Sequence, residues 1–346
     1  MDRQVMAVGA KRHPYYRRRV LTLMVLLVFL FSVFVYSIIT GSVKLSLVQV
    51  WDCLIERKHT PNETIVWDLR LPRTIVGMIV GMCLAVAGTI MQGVMRNPLA
   101  DPGIIGVSSG AALMAVTITI VFPEHLAVLP IAAFVGGFIT AMIVYALSWQ
   151  AKGTSIGRIV LVGVAINAVV GATMSAIMLL YSDRVEAVLP WMTGVISGAT
   201  MEQAKLLLMY GVPGLLLSLL AIKPIRLLRL GDDMAKLLGH HVEWSRFFLI
   251  VVSALLTGIA VSVSGMVGFI GLVIPHIVRM IVGDDERVVL PFSALAGGAF
   301  LVLADTLARS WFDPVELPVG LVLSFLGGPF FLYILYKRGG LGAFRS

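Results

Sequence analysis

The chain is 346 residues long, 58% hydrophobic and only 13% charged, with a mean hydropathy of +0.95. Soluble globular chains carry about 25% charged residues, so a water-soluble enzyme is excluded, and two cysteines, Cys53 and Cys83, exclude a disulfide-stapled secreted scaffold. The formal charge of +8 is assigned to basic residues held in cytoplasmic loops rather than to a nucleic-acid surface.

Ten apolar runs follow in chain order, at about 20–40, 72–95, 103–122, 127–149, 158–181, 204–222, 247–264, 266–282, 289–308 and 315–336. Crossing a bilayer takes about 20 apolar residues, and backbone in lipid must satisfy its own hydrogen bonds. The reading is therefore an all-α integral membrane protein with about ten transmembrane helices in one polytopic domain over 1–346. Run one follows Lys11-Arg12 and Arg17-Arg18-Arg19 but is too long for a cleavable signal and lacks a small-residue cleavage site. Runs seven and eight are short and almost fused at Ser264-Gly265.

Placing the N-terminus inside puts 19 of the 27 Lys and Arg inside and eight outside. Both termini are then cytoplasmic, with 1–19 a basic inner segment, 41–71 an outer loop and 223–246 the longest inner loop after it. No charged residue falls well within a run, while Asp305 and His276 lie toward run ends. Proton-coupled carriers use an ionisable group at mid-membrane, so proton coupling is disfavoured; sodium coupling is not.

Four segments carry more than hydropathy. Arg70-Leu71-Pro72-Arg73 stands at the outer mouth of run two, with Pro72 suited to a first helical turn. Its two arginines fit headgroup snorkelling or docking of an acidic partner from outside. Met95 to Gly106, with two prolines and two glycines, is an irregular inner turn, either a tight reversal or a gate. In the inner loop, Gly231-Asp232-Asp233 reads as an N-cap. Met234, Leu237 and Leu238 follow at helical spacing, and Gly239 closes a short amphipathic helix. That helix fits a lipid surface or a groove on a cytoplasmic partner. Finally, Gly268 to Arg279 carries Pro275, which marks a kink or a late helix start, and His276, read as a packing residue and not a metal ligand. Glycines in runs two and eight are read as close helix packing. The sequence has no G-x-x-x-x-G-K-[ST] and no metal-ligand spacing, so the chain is read as a non-enzyme that binds no ATP, metal or other cofactor itself.

In these segments the chain resembles the membrane permease subunits of bacterial ABC importers for iron–siderophore complexes, haem and vitamin B12. The likeness covers nearly the whole chain. It rests on Leu69 to Arg73, Arg96 to Gly106, Gly268 to Arg279, Leu303 to Arg309 and Glu316 to Gly320. The resemblance implies ten helices with an inverted repeat of helices 2–5 and 7–10, and a second permease subunit in a homo- or heterodimer. It also implies two cytoplasmic ATPase subunits and an extracytoplasmic binding protein. Arg70, Arg73 and Arg309 are then the docking residues for the binding protein. Asn97, Pro98, Leu99, Thr154 and Ser155 form the cytoplasmic gate. The segment 231–241, with Asp232, Asp233, Met234, Leu237, Leu238 and Gly239, is the coupling helix against an ATPase, and Asn167 lines the path. The implied cargo is an iron–siderophore complex crossing a bacterial plasma membrane, with cobalamin or haem as alternatives; a sodium-coupled carrier is the rival.

Overall fold

The computed structural model describes residues 14–41, 43, 45–55, 60–150, 153–311 and 316–338. The basic residues Arg3, Lys11, Arg12, Lys44, Arg57, Lys58, Lys152 and Arg345, which entered the charge count, lie outside them. Among the described residues every regular element is a helix. The principal ones are α1 (Pro14–Ile39), α2 (Leu47–Ile55), α3 (Leu71–Val94), α4 (Val107–Val116), α5 (Leu129–Leu147), α6 (Ile156–Leu180) and α7 (Met201–Ser218). They continue with α8 (Ile222–Leu228), α9 (Asp232–Leu237), α10 (Val242–Ser264), α11 (Ile270–Val282), α12 (Glu286–Ser310) and α13 (Val319–Arg338).

Each apolar run holds a helix: α1, α3 to α7 and α10 to α13 in order. Seven described helical stretches are long and apolar enough to cross a membrane, and three apolar ones are shorter, Val107–Val121, Ile270–Val282 and Val319–Tyr333. The chain is a multi-pass membrane protein. At 1.5 Å per residue, the 13 residues of α11 cover about 20 Å, less than a hydrocarbon core of about 30 Å. The residues 265–269 leading into it are non-helical. There Met266 N donates to Trp191 O at 3.1 Å.

Two boundaries differ from the sequence reading. The helix entering the core does not begin at Pro72: helical backbone runs unbroken from Pro61 to Val94. A wide π-type turn over Ile65–Arg70 precedes the proline. Proline removes an amide donor and crowds the preceding turn, and the π turn takes up that mismatch without ending the helix. The loop expected over 223–246 is also shorter, because α8 carries helix on to Leu228.

The core is built around α3, buried along almost its whole length and packed by α12, α10, α7 and α11. Glycine permits this. A Cβ on Gly88 would stand 1.9 Å from the Gly271 carbonyl oxygen, and one on Gly81 2.3 Å from that of Gly297. Backbones meet directly, which in lipid gives dispersion contacts where no hydrophobic drive exists.

The packing repeats. Helix α3 lies against α12 and α11 as α10 lies against α5 and α4. The pair α4 and α5 meet as α11 and α12 do, and α6 touches α4 as α13 touches α11. Each short helix follows a left-handed residue, Gly106 (φ 82) before α4 and Phe269 (φ 67) before α11.

Candidate functional site

Three clusters of polar side chains interrupt this apolar body. At one end, the last turn of α1 leaves carbonyls without helical partners, and arginines from two other helices cap them. Arg70 Nη1 donates to the Ile38 and Ile39 carbonyls at 2.7 and 2.8 Å, and Arg70 Nη2 donates to that of Val43. Arg309 Nη2 donates to the Ser37 carbonyl, and to Ser37 Oγ at 3.0 Å. Ser37 Oγ in turn lies 2.9 Å from Thr74 Oγ1.

Between them, Arg73 spreads its fork over Asp305, with Nε to Oδ2 at 2.8 Å and Nη2 to Oδ1 at 2.9 Å. Its remaining Nη1 donates to Glu316 at 2.8 Å. Arg70, Arg73 and Arg309 are only 4%, 7% and 7% exposed. The three arginines singled out in the sequence therefore converge, but neither as free forks nor as snorkelling side chains: each is engaged within the chain. Beside Arg73 opens a cleft of about 430 Å³ lined by Glu186, Thr193, Ser197, Asp305 and Glu316.

The second cluster joins the turn at Asn97-Pro98-Leu99 to the one at Thr154-Ser155. Asn97 Oδ1 accepts from Leu99 N at 2.9 Å, bending the first turn on itself, with Arg96 in the left-handed region (φ 50). Asn97 and Pro98 are exposed and Leu99 is half-buried. In the second turn Ser155, exposed, caps α6 by accepting from Arg158 N at 3.3 Å. Its neighbour Thr154 is buried and held on every side. Thr154 N and Oγ1 donate to Glu243 Oε2 at 3.1 and 2.7 Å. Arg246 Nη1 donates to the Thr154 carbonyl at 2.5 Å and to its Oγ1 at 3.1 Å.

Helix α9 hangs on the same arginine. Arg246 Nη2 donates to both oxygens of Asp232, at 3.0 and 2.9 Å, and Arg96 Nη2 lies 3.3 Å from Asp232 Oδ1. The N-cap position is taken by Gly231 (φ 100) with no side-chain cap bond. Asp232 thus ties α9 to the turns instead of capping it, while Asp233 points out. Gly239, at φ 73, closes the helix, with His240 N donating to the Ala235 carbonyl at 3.0 Å. Ala235 is fully buried, whereas Met234, Leu237 and Leu238 are 53%, 81% and 60% exposed. An apolar edge that no described residue covers faces outward beside both turns.

A third cluster, invisible to hydropathy, lies just before α9. Glu286, fully buried, receives Arg229 at 2.8 Å and Arg279 at 3.1 Å. Arg279 also donates to Gln92, whose amide donates to the Leu272 carbonyl at 3.1 Å. In sequence these charges pass as ordinary loop residues; the one available signal is Glu286 placed seven residues after Arg279 across Gly283. Asn167 is half-buried, and both ends of its amide are occupied. Nδ2 donates to the Gly103 carbonyl at 3.2 Å, and Oδ1 accepts from Ser109 Oγ at 2.5 Å. Among the described residues no group of three His, Cys, Asp or Glu is arranged to hold a metal.

The model of the FecCD transport family matches residues 26–337. The chain belongs to that family. This FecCD-family chain is 40% identical over 309 residues to the hemin transport system permease protein HmuU of Yersinia pestis, covering 86% of this chain and 90% of that one. It is 38% identical over 324 residues to the Fe(3+)-citrate import system permease protein YfmE of Bacillus subtilis, covering 92% and 96%. A solved structure described as an inward-facing conformation of a metal-chelate type ABC transporter superposes with a TM-score of 0.82 at 28% identity. That superposition covers 91% of this family member and 98% of the solved chain.

Proposed function

We propose that this chain is the permease subunit of a binding-protein-dependent ABC importer in a bacterial plasma membrane, moving an iron–siderophore complex. The energy comes from ATP hydrolysed by two partner subunits. The observation that carries the reading is the bare apolar edge of α9, Met234, Leu237 and Leu238, standing beside both inner turns. A short helix with one apolar edge in water fits a groove on a cytoplasmic partner, and here its displacement falls directly on the turns that close the inner side.

In this reading the chain crosses ten times with both termini inside, the packing repeat is the inverted repeat of runs 2–5 and 7–10, and two copies or two related chains enclose the path. A loaded binding protein docks at the end where Arg70, Arg73 and Arg309 gather. Arg73 is ion-paired to Asp305 and Glu316, whereas Arg70 and Arg309 are held by backbone carbonyls and Ser37, so among the described residues their charges are left without a direct carboxylate partner and steer acidic side chains. Glu316, whose side chain is 49% exposed, occupies the Arg73 position nearest solvent; a glutamate from the binding protein replaces it there. ATP closes the partner subunits, α9 shifts with them, and the turns at Asn97-Pro98-Leu99 and Thr154-Ser155 open or shut the inner mouth. Asn167 on α6 faces the path in part. The permease breaks no bond.

Haem and cobalamin are the alternative cargoes, the former supported by the equally similar haem relative. The test is uptake into proteoliposomes holding this chain, its partner permease and ATPase subunits, with the binding protein outside. Iron–siderophore accumulation that needs both ATP and the binding protein is the expected result. Uptake of haem or cobalamin alone changes the cargo, and uptake that follows a sodium gradient without ATP overturns the reading.

A further inference from the structure

Four charged side chains, Arg96, Asp232, Glu243 and Arg246, form a neutral set between α9 and the two inner turns, and their environments are unequal. Arg246 is 1% exposed and grips two elements at once. One nitrogen reaches the carbonyl and hydroxyl of Thr154, and the other both oxygens of Asp232. Thr154 is further fixed by Glu243 through its amide and hydroxyl. Only the arginine side is desolvated, Asp232 being 31% exposed, but a charge-assisted contact from a buried guanidinium is geometrically strict, and breaking it strands the buried charge of Arg246. By contrast the Arg96–Asp232 contact is single, 3.3 Å long, and roughly a third exposed on both sides. Water screens it, and it costs little to open.

We propose that Arg246 is a positioning residue that couples α9 rigidly to the Thr154-Ser155 turn, and that Arg96–Asp232 is the separable contact through which the Asn97-Pro98-Leu99 turn engages or disengages. The inference rests on α9 being the contact with an ATPase subunit. Displacement of α9 then carries Thr154 and the start of α6 with it, since both are held by one guanidinium. The first turn, attached through a solvent-exposed pair on a left-handed Arg96, parts from them. The two inner turns thus separate with a single input, the more exposed pair breaking first. Lysine cannot substitute at 246: it lacks the planar fork that spans Asp232 and Thr154 together.

The test uses the complete transporter in lipid nanodiscs and proteoliposomes, with Arg246→Lys and Arg96→Gln variants and spin labels on Ser155→Cys and Lys236→Cys, the latter an exposed position of α9 off its apolar edge. The labelled complex with Arg246 and Arg96 intact reports a fixed 155–236 separation through the ATP cycle. In Arg246→Lys, basal ATP hydrolysis persists, transported cargo per ATP falls about tenfold, and the 155–236 separation varies with nucleotide. Unchanged stoichiometry with a fixed separation overturns the proposal. Should Arg246→Lys fail to assemble, Arg96→Gln carries the test with labels on Leu99→Cys and Lys236→Cys. The expected result is a 99–236 separation that is wide without nucleotide; nucleotide-dependent separation as in the parent overturns it. Failure of the underlying reading is distinct, since the parent complex itself then recruits no ATPase subunit.

Discussion

Replacing Asp305 by alanine tests whether the Arg73 cluster is a sealed internal clamp. The side chains of Arg73 and Asp305 are 8% and 5% exposed and joined by two hydrogen bonds of 2.8 and 2.9 Å. Removing one member of a buried pair leaves the other charge uncompensated, at a cost of about 3–5 kcal/mol. Glu316 still holds Nη1, so the loss falls at the lower end, about 3 kcal/mol, or roughly a hundredfold in the folding equilibrium. Equilibrium unfolding of the purified chain in mixed detergent–SDS micelles measures it. The double variant Arg73→Met, Asp305→Leu returns to within about 1.5 kcal/mol of the parent, because neither member of the pair is left buried without the other. If Asp305→Ala unfolds within about 0.5 kcal/mol of the parent, water reaches Arg73 freely and the clamp interpretation is refuted.

Glu316→Gln removes the negative charge that competes for Arg73 Nη1, so binding-protein association at low salt accelerates several-fold, read by surface plasmon resonance on the nanodisc-embedded transporter; a slower association contradicts the replacement of Glu316 by an incoming carboxylate. Leu237→Asp leaves the fold intact, that side chain being 81% exposed, but abolishes co-purification of the ATPase subunit on an affinity column. Gly88→Val eliminates folded protein in fluorescence-detected gel filtration, since its Cβ meets the Gly271 carbonyl oxygen at 1.9 Å, while Gly268→Ala, with nothing within 4 Å, expresses as the parent does.

What hydropathy and punctuation could reveal, they revealed. The ten apolar runs each contain a helix, and the small helix α9 was legible because two glycines bracket it, Gly231 and Gly239, both at positive φ. Pro72 misled as a helix start because its conflict with the helix is absorbed locally, by a π turn that leaves no mark in composition. The arginine partners were illegible for a different reason. Arg73 finds Asp305 at a separation of 232 residues, Arg246 finds Thr154 at 92 and Arg279 finds Gln92 at 187. Such pairings depend on which helices adjoin, and periodicity within one helix carries no information about that. A rule that places Lys and Arg in loops counts them correctly and says nothing of their burial.

The cap on α1 has a consequence for how the chain is made. Ser37 and the Arg309 that closes its carbonyl lie 272 residues apart, so the end of α1 is among the last parts of the chain to be finished. At about 5–20 residues per second, it waits roughly 15–50 seconds for α12 to arrive. Arg70, whose carbonyl partners lie 27 to 32 residues before it, is synthesised early in that interval. The two arginine caps therefore become available at different stages of synthesis, and a ribosome stalled before residue 309 leaves α1 without the Arg309 one.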